Sequence, residues 1–452
     1  MTVYDDDYEI GEELGRKERG EPAPNGRRRA DPSNAEYADS LADDGTADEP
    51  RAAPADHRMP DMLRQLREWL DLPDQGPIIV SCAAAATTSL DDDEAAWLLN
   101  VAPPSAGKTE AVNLLDKVTD ARLNEITSAG LLGWSRGKTP RPTGVLSRIG
   151  ANAMVTFGDL SSLLATSDRG GRDAVFGLLR RAYDGHVSRD VQPPGGRVAN
   201  ESLSWSGRLT VIAAVTSAID NYSAHADALG PRWIYIRAAE RGIESRRNAA
   251  KAARNRDVRT FRAEAANMAA EIITEARARI AATTVPDAVA DAIEDAVLVT
   301  CWGRAVVPRN GYGRREIEGV PITEEPPRLI RQIHVLARGL YALGYDDDDV
   351  TRLTRRVALD SMPTARLGVL RALADDPDEV LTTAAVARRA RLHWYVAHRH
   401  CEDLAAIGVV DELTGADTSD SDSDRNQRRW LLTKTEGQVI RDVIAASTLH
   451  EM

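Results

Sequence analysis

Met62, Leu63, Leu66, Trp69, Leu70 and Leu72 recur every three to four positions and predict a helix over residues 60–72. Residues 77–90 are apolar and small, and their pattern fits a strand or a helix equally. Beyond them the period changes. Short continuous apolar runs at 95–101, 151–159, 208–214 and 233–236 have the form of strands buried on both faces. A weaker run at 121–127 fits one more strand, and helical patterns separate the runs at 108–117 and 172–183. Residues 130–148 are rich in Gly, Ser and Pro and predict a loop with a short helix at its end. Residues 184–206, with Gly185, Pro193, Pro194, Gly195 and Gly196, suggest a hairpin. Strands spaced by helices and loops of these lengths predict an α/β fold built on a largely parallel sheet.

The second half of the chain is patterned differently. Helical periodicity with arginine-rich faces runs from 240 to about 282 and returns at 287–301 and 326–343, a helical block. Three further helices are predicted: 364–374 on Leu367, Leu370 and Leu373, one capped by Thr382 or Thr383, and 393–407 closed by Gly408. The third of these turns Val396, Cys401, Leu404 and Ile407 inward. Two short strands, 409–413 and 429–433, enclose a polar insert at 414–427. Residues 1–58 hold almost no large aliphatics and cannot bury enough apolar surface to offset chain entropy, so a disordered acidic tail is expected. Four segments follow: the tail 1–58, an α/β core 59–239, a helical subdomain 240–362 and a C-terminal module 363–452.

Composition narrows this picture. The chain has 452 residues, 42% of them hydrophobic but only 5% aromatic, so its core is mostly aliphatic. The formal charge of −13 argues against a surface uniformly suited to nucleic acid, although the acids concentrate in the tail and in runs such as 346–349. Cys82, Cys301 and Cys401 form no close pair, as expected for reduced thiols. His398, His400 and Cys401 are close in sequence, but adjacent residues diverge on a helix, so no metal site is expected there. With no apolar signal core and no run long enough for a membrane, the expectation is a cytoplasmic protein without a membrane partner.

The sharpest chemical signal lies between the first apolar run and the helix after it. Residues 102–109 read APPSAGKT, matching the phosphate loop G-x-x-x-x-G-K-[ST] at every fixed position except the first, where Ala102 replaces glycine. In such a loop the backbone of Pro104, Ser105, Ala106 and Gly107 curls around phosphates at a helix N-terminus. Lys108 reaches the terminal phosphates, and the Thr109 hydroxyl ligates Mg²⁺. ATP and Mg²⁺ are the expected cofactors. Asp159 ends a buried run about 50 residues further on, where an acid that holds Mg²⁺ is expected. The following residue is Leu160, where a catalytic glutamate is common; Glu125 is one substitute, and slow hydrolysis is the alternative.

Taken in order, WLLNVAPPSAGKTE, VTFGDLSSLL, LLRRAYDG, LSWSGRLTVIAAVTSAID and ALGPRWIYIR resemble the AAA+ ATPase core, more closely a group of bacterial and phage proteins associated with primases and helicases. The resemblance covers about residues 60–345. It implies that Thr216 or Ser217 senses the γ-phosphate from a strand tip, that Arg232 serves a neighbouring subunit's ATP, and that Arg328 contacts nucleotide within its own subunit. A homo-oligomer, most plausibly a ring, and replication or mobile-element partners follow from the same likeness. The C-terminal module is similar to the winged helix-turn-helix of MarR- and ArsR-like regulators, whose third helix enters the major groove. That likeness implies DNA contacts from Arg391, His393, Tyr395, His398 and Arg399, with Trp394 nearby and Arg388 and Arg389 flanking the backbone. The acidic insert disfavours tight wing–phosphate contact, which leaves protein contact as a competing use. Two functions are carried forward: a DNA-acting AAA+-like ATPase, and a nucleotide-sensing transcriptional regulator with little or no hydrolysis.

Overall fold

The computed structural model describes residues 58–91, 94–104, 106–135, 141–190, 202–220, 232–254, 257–311, 316–376, 379–413 and 428–448. Residues 1–57 of the expected tail, Ser105, and the insert 414–427 lie outside the described residues.

Five strands, β1 (Trp97–Val101), β2 (Ala121–Leu123), β3 (Asn152–Phe157), β4 (Arg208–Val215) and β5 (Ile234–Arg237), form one parallel sheet in the order β2-β3-β4-β1-β5. Alternate side chains leave opposite faces of a strand, and both faces are covered here, which is why the runs are apolar throughout. Leu98, Met154, Ile212, Ile234 and Ile236 enter one core. Trp97, Leu99, Phe157, Val211, Ala213 and Val215 enter the other, with α4 (Arg169–Tyr183) packed over them. The α/β class is as expected.

Helix α1 (Met59–Trp69) buries Met62, Leu63, Leu66 and Trp69. The ambiguous segment is helix α2 (Gly76–Ala86), buried on nearly every side. Its small side chains permit a close helix crossing: a Cβ on Gly339 would lie 2.4 Å from the Ala83 carbonyl oxygen. After the loop 102–107, α3 (Lys108–Asn113) is shorter than the helical pattern through 117 suggested. The chain is drawn into the sheet, where the Asp120 N–H donates to the Met154 carbonyl and its carboxylate accepts from the Met154 N–H. Strand β2 likewise stops at Leu123, because Thr127 caps a short helix, Ser128–Leu131, by accepting from the Gly130 N–H. The expected hairpin pairs His186–Arg189 antiparallel with Leu203–Ser206.

The helical block comprises α5 (Ile243–Ala252), α6 (Val258–Arg279), α7 (Asp287–Arg304), α8 (Pro327–Ala342) and α9 (Asp347–Asp360). Residues of α6, α7, α8 and α9 share a core with α1, α2 and one sheet face, so the cores are continuous across residue 240. Helix α9 had no apolar signature at its start. Its acidic run is the cap and first turn, with Asp346 accepting from the Asp349 N–H, where negative charge favours a helix.

The C-terminal module contains α10 (Thr364–Ala374), α11 (Thr383–Arg389), α12 (Trp394–Ile407) and α13 (Thr435–Thr448). Strands β6 (Leu381–Thr382), β7 (Val410–Leu413) and β8 (Arg429–Leu432) form an antiparallel sheet in the order β6-β8-β7. Its core gathers Val386, Cys401, Leu404 and Trp430 with Ala296 and Val299 of α7. Val396 is not part of it: the inward stripe of α12 is Ala397, Cys401 and Leu404, and Val396, one residue off that stripe, is exposed. None of the described helices is long and apolar enough to cross a membrane.

Candidate functional site

The loop 102–109 leaves the C-terminal end of β1 and opens directly into α3. Gly107 caps that helix at φ 89°, ψ 3°, a left-handed conformation that glycine adopts without a Cβ clash. Ala102 in place of the first glycine costs nothing visible: it is buried, its N–H extends the ladder to the Val215 carbonyl, and its φ is not positive. The first N–H groups of a helix have no intrahelical acceptor, so the turn after Gly107 presents donors suited to an anion. Thr109 is the second residue of α3, beside Lys108.

Strand β4 lies between β1 and β3, so their C-terminal ends converge at one sheet edge. There Lys108 Nζ lies 3.1 Å from Asp159 Oδ2. Asp159 Oδ1 accepts from the Ser161 N–H at 2.8 Å, and Ser161 Oγ accepts from the Thr216 N–H at 2.9 Å and donates to Thr216 Oγ1 at 3.2 Å. Partial burial raises the Asp159 carboxyl, but Ser161 hydrogen bonds and Lys108 outweigh it and hold it below the usual carboxylate range. Lys108, Asp159 and Thr216 are therefore brought together as the sequence suggested. Ser161 was missed, although an acid followed two residues later by serine at a helix start is a recognisable turn signal. Ser217 is exposed, and Leu160, buried in the core, leaves no carboxylate at that position. Glu125 is exposed just beyond the C-terminal end of β2, on the same sheet edge.

A shallow, mostly apolar recess opens beside the loop. Leu70, Leu72 and Pro73 of the α1–α2 connection and Ile78 of α2 line it together with Ala106, Gly107 and Lys108. The connection is fixed by Asp74, which accepts from the Gly76 and Ala239 N–H groups and takes both Arg356 Nη atoms, at 2.9 and 2.6 Å. Arg241 was not anticipated. Its Nη2 donates to the Ala106 carbonyl at 3.3 Å and the Asp71 carbonyl at 3.0 Å, which places a cation on the loop from within the same chain. Glu110, one residue past Thr109, accepts from Arg262 Nε at 2.9 Å, tying α6 to the first turn of α3.

Arg232 and Arg328 are elsewhere. Arg232 immediately precedes Trp233 and β5, at the sheet edge opposite the loop. It holds Asp184 through two Nη2 contacts of 2.9 and 2.8 Å and lies over the Tyr183 ring. Arg328 stands at the start of α8, whose Arg331 pairs with Glu94 and whose Gln332 donates to the Arg232 carbonyl, both at that same far edge. Arg328 therefore stands at the far edge, with the length of β1 between it and the loop. For Arg232, service to a neighbouring subunit would first require release from Asp184.

In the C-terminal module, Tyr395 is 71% exposed and Trp394 43% at the start of α12. His393 caps this helix, its Nδ1 accepting from the Tyr395 N–H at 3.4 Å, and its ring stacks on Tyr395. Arg391 and Arg399 are exposed. His398 is not an outer-face group: it is half-buried between Trp394 and Trp430, and burial lowers its proton affinity despite nearby Glu402. Arg389 is engaged by Glu379 at 2.7 Å.

No protein-family model matches this chain, and no curated protein does either. The site must be judged on its chemistry. Among the described residues no group of three or more His, Cys, Asp or Glu gathers as a metal site, and Mg²⁺ held by one carboxylate and nucleotide phosphates needs none. The groups that could hold a Mg²⁺–nucleoside triphosphate are the helix N-terminus after the left-handed Gly107 and the Lys108–Asp159 pair.

Proposed function

We propose that this chain is an AAA+-like P-loop protein that binds ATP with Mg²⁺ and acts on DNA through a C-terminal winged helix. The observation that carries the ATP reading is the convergence of Lys108, Asp159 and Thr216 at one sheet edge, joined through Ser161. Lys108 would neutralise the terminal phosphates, and Thr109 with Asp159 would hold Mg²⁺. Thr216, bonded to Ser161 beside the acid, would sense the γ-phosphate. The DNA reading rests on the exposed Arg391, His393, Tyr395 and Arg399 at the start and outer face of α12. Ring assembly draws no support from Arg232, which its own chain engages.

Leu160 favours the second reading, a nucleotide-sensing regulator. Its buried side chain stands where a water-activating glutamate would be, and exposed Glu125 is the remaining acid named for that task. ATP turnover measured with and without DNA separates the two. A remodelling ATPase raises turnover several-fold on DNA; a regulator binds DNA with turnover unchanged. Absence of Mg²⁺-dependent ATP binding would reject both. In a DNA-binding titration across a salt series Arg399→Ala is expected to weaken binding several-fold and reduce the log–log salt slope by about 0.9, one phosphate contact. Unchanged affinity would assign the outer face of α12 to protein contact.

A further inference from the structure

A second, wider cleft of about 1740 Å³ runs from the rim of the phosphate loop at Pro103 and Pro104, past α9, to Arg391 in the C-terminal module. That exceeds the ~300–1,000 Å³ of a small-ligand site, so it suits an extended ligand. Its described lining holds eight arginines against four carboxylates and contains no lysine and no aromatic ring. On a chain of net charge −13 this is a strong local reversal of sign. Arg356 and Arg241 are oriented by Asp74 and Asp71 behind them. Arg246 has no ion-pair partner among the described residues, and Arg355 Nε is buried without a hydrogen-bond acceptor.

Arg391 adds an independent observation. Among the described residues it is the one non-glycine with positive φ, at 53°, in the turn between α11 and α12. Its side chain is 87% exposed and meets only the fully solvated Glu240, at 3.9 Å, a contact that contributes little. A side chain held in the left-handed region costs strain that glycine avoids, and no contact within the fold offsets it here. Such outliers collect where a ligand uses them.

We propose that this cleft binds the phosphodiester backbone of DNA, laid from Arg391 past α9 toward the arginines beside the phosphate loop. The inference rests on the reading of DNA as the partner and adds where the strand lies: inside the cleft between the two modules, in addition to the outer face of α12. Guanidinium groups recognise phosphate through paired N–H donors. The lack of rings in the lining means that backbone charge, rather than base stacking, holds the strand there.

The test uses the full chain and a short fluorescein-labelled oligonucleotide, single-stranded and duplex, with anisotropy read across a salt series. Arg246→Gln combined with Arg352→Gln removes two cleft charges that lie on α5 and α9 rather than on α12, the second of them paired with Asp349. The expected result is about tenfold weaker binding and a log–log salt slope smaller by about 1.8 for the DNA form that the cleft holds. Arg391→Gly is expected to keep or raise the thermal midpoint, because it relieves the left-handed strain, while weakening DNA binding. If the double variant binds both oligonucleotides with unchanged affinity and slope while Arg399→Ala weakens binding, the cleft proposal is overturned and DNA recognition by α12 stands. If the wild-type chain binds neither oligonucleotide, the cleft proposal and the DNA reading fall together.

Discussion

Lys108→Ala is expected to lower ATP affinity at least 100-fold, about 2.7 kcal/mol, while leaving the fold intact. Both halves of this expectation come from where Lys108 sits. Its ammonium lies 3.1 Å from Asp159 at the sheet edge where the loop opens, so a bound triphosphate would lose a full positive charge there. The structural cost is small because, although Lys108 is 9% exposed, its partner Asp159 is 47% exposed and stays hydrated when the lysine is removed. Equilibrium titration with a fluorescent ATP analogue in Mg²⁺, alongside urea unfolding, reads the two quantities separately. Undiminished nucleotide affinity would remove the phosphate-loop assignment; a collapsed unfolding midpoint would mean that Lys108 is structural.

The second large effect is on stability. Asp403 of α12 is buried between Arg309 and Arg366, with Nη2 of each within 2.7 and 2.9 Å of its two carboxylate oxygens. Arg366 also donates to the Gly303 and Ala305 carbonyls at 3.1 and 2.6 Å, so the cluster fastens α12 to the end of α7. All three side chains are nearly excluded from water. Removing the acid leaves the buried Arg366 without a carboxylate, while Arg309 keeps Glu402 at 3.1 Å; breaking a buried pair costs about 3–5 kcal/mol. Asp403→Ala is therefore expected to destabilise the protein by that amount in chemical denaturation. A double-mutant cycle with Arg309→Ala should return a coupling of about 1 kcal/mol or more. Additive single effects would mean that the two groups are solvated in solution.

The parallel sheet was legible because its strands are buried on both faces, which forces continuous apolar runs such as residues 208–214. The conformation of the loop 102–109 was legible for a different reason. A glycine followed by a lysine at a helix start marks a left-handed cap, and Gly107–Lys108 are local. Asp159 stood out in the same way, as one acid at the end of one strand. Helix α2 was not assignable, since a segment buried all round loses the periodicity that distinguishes helix from strand. Helix α9 was hidden because its start is written in capping acids rather than in an apolar stripe.

The arginines mark the boundary between the two kinds of information. Arg232 and Arg328 were chosen by their order along the chain, yet both lie at the sheet edge opposite the loop, Arg232 held by Asp184. Arg241 touches the loop, and nothing in its neighbours along the chain announces it. A guanidinium can be satisfied by any acid or carbonyl that packing brings within reach, so its role depends on contacts between residues far apart in sequence. Residues 102–109 carry their chemistry in their own backbone and spacing, and could be read directly. The joining of Asp159 to Thr216 through Ser161, and the arginine cleft that runs from the loop to Arg391, arise only when separate elements meet. Backbone geometry is local, whereas charge pairing is not.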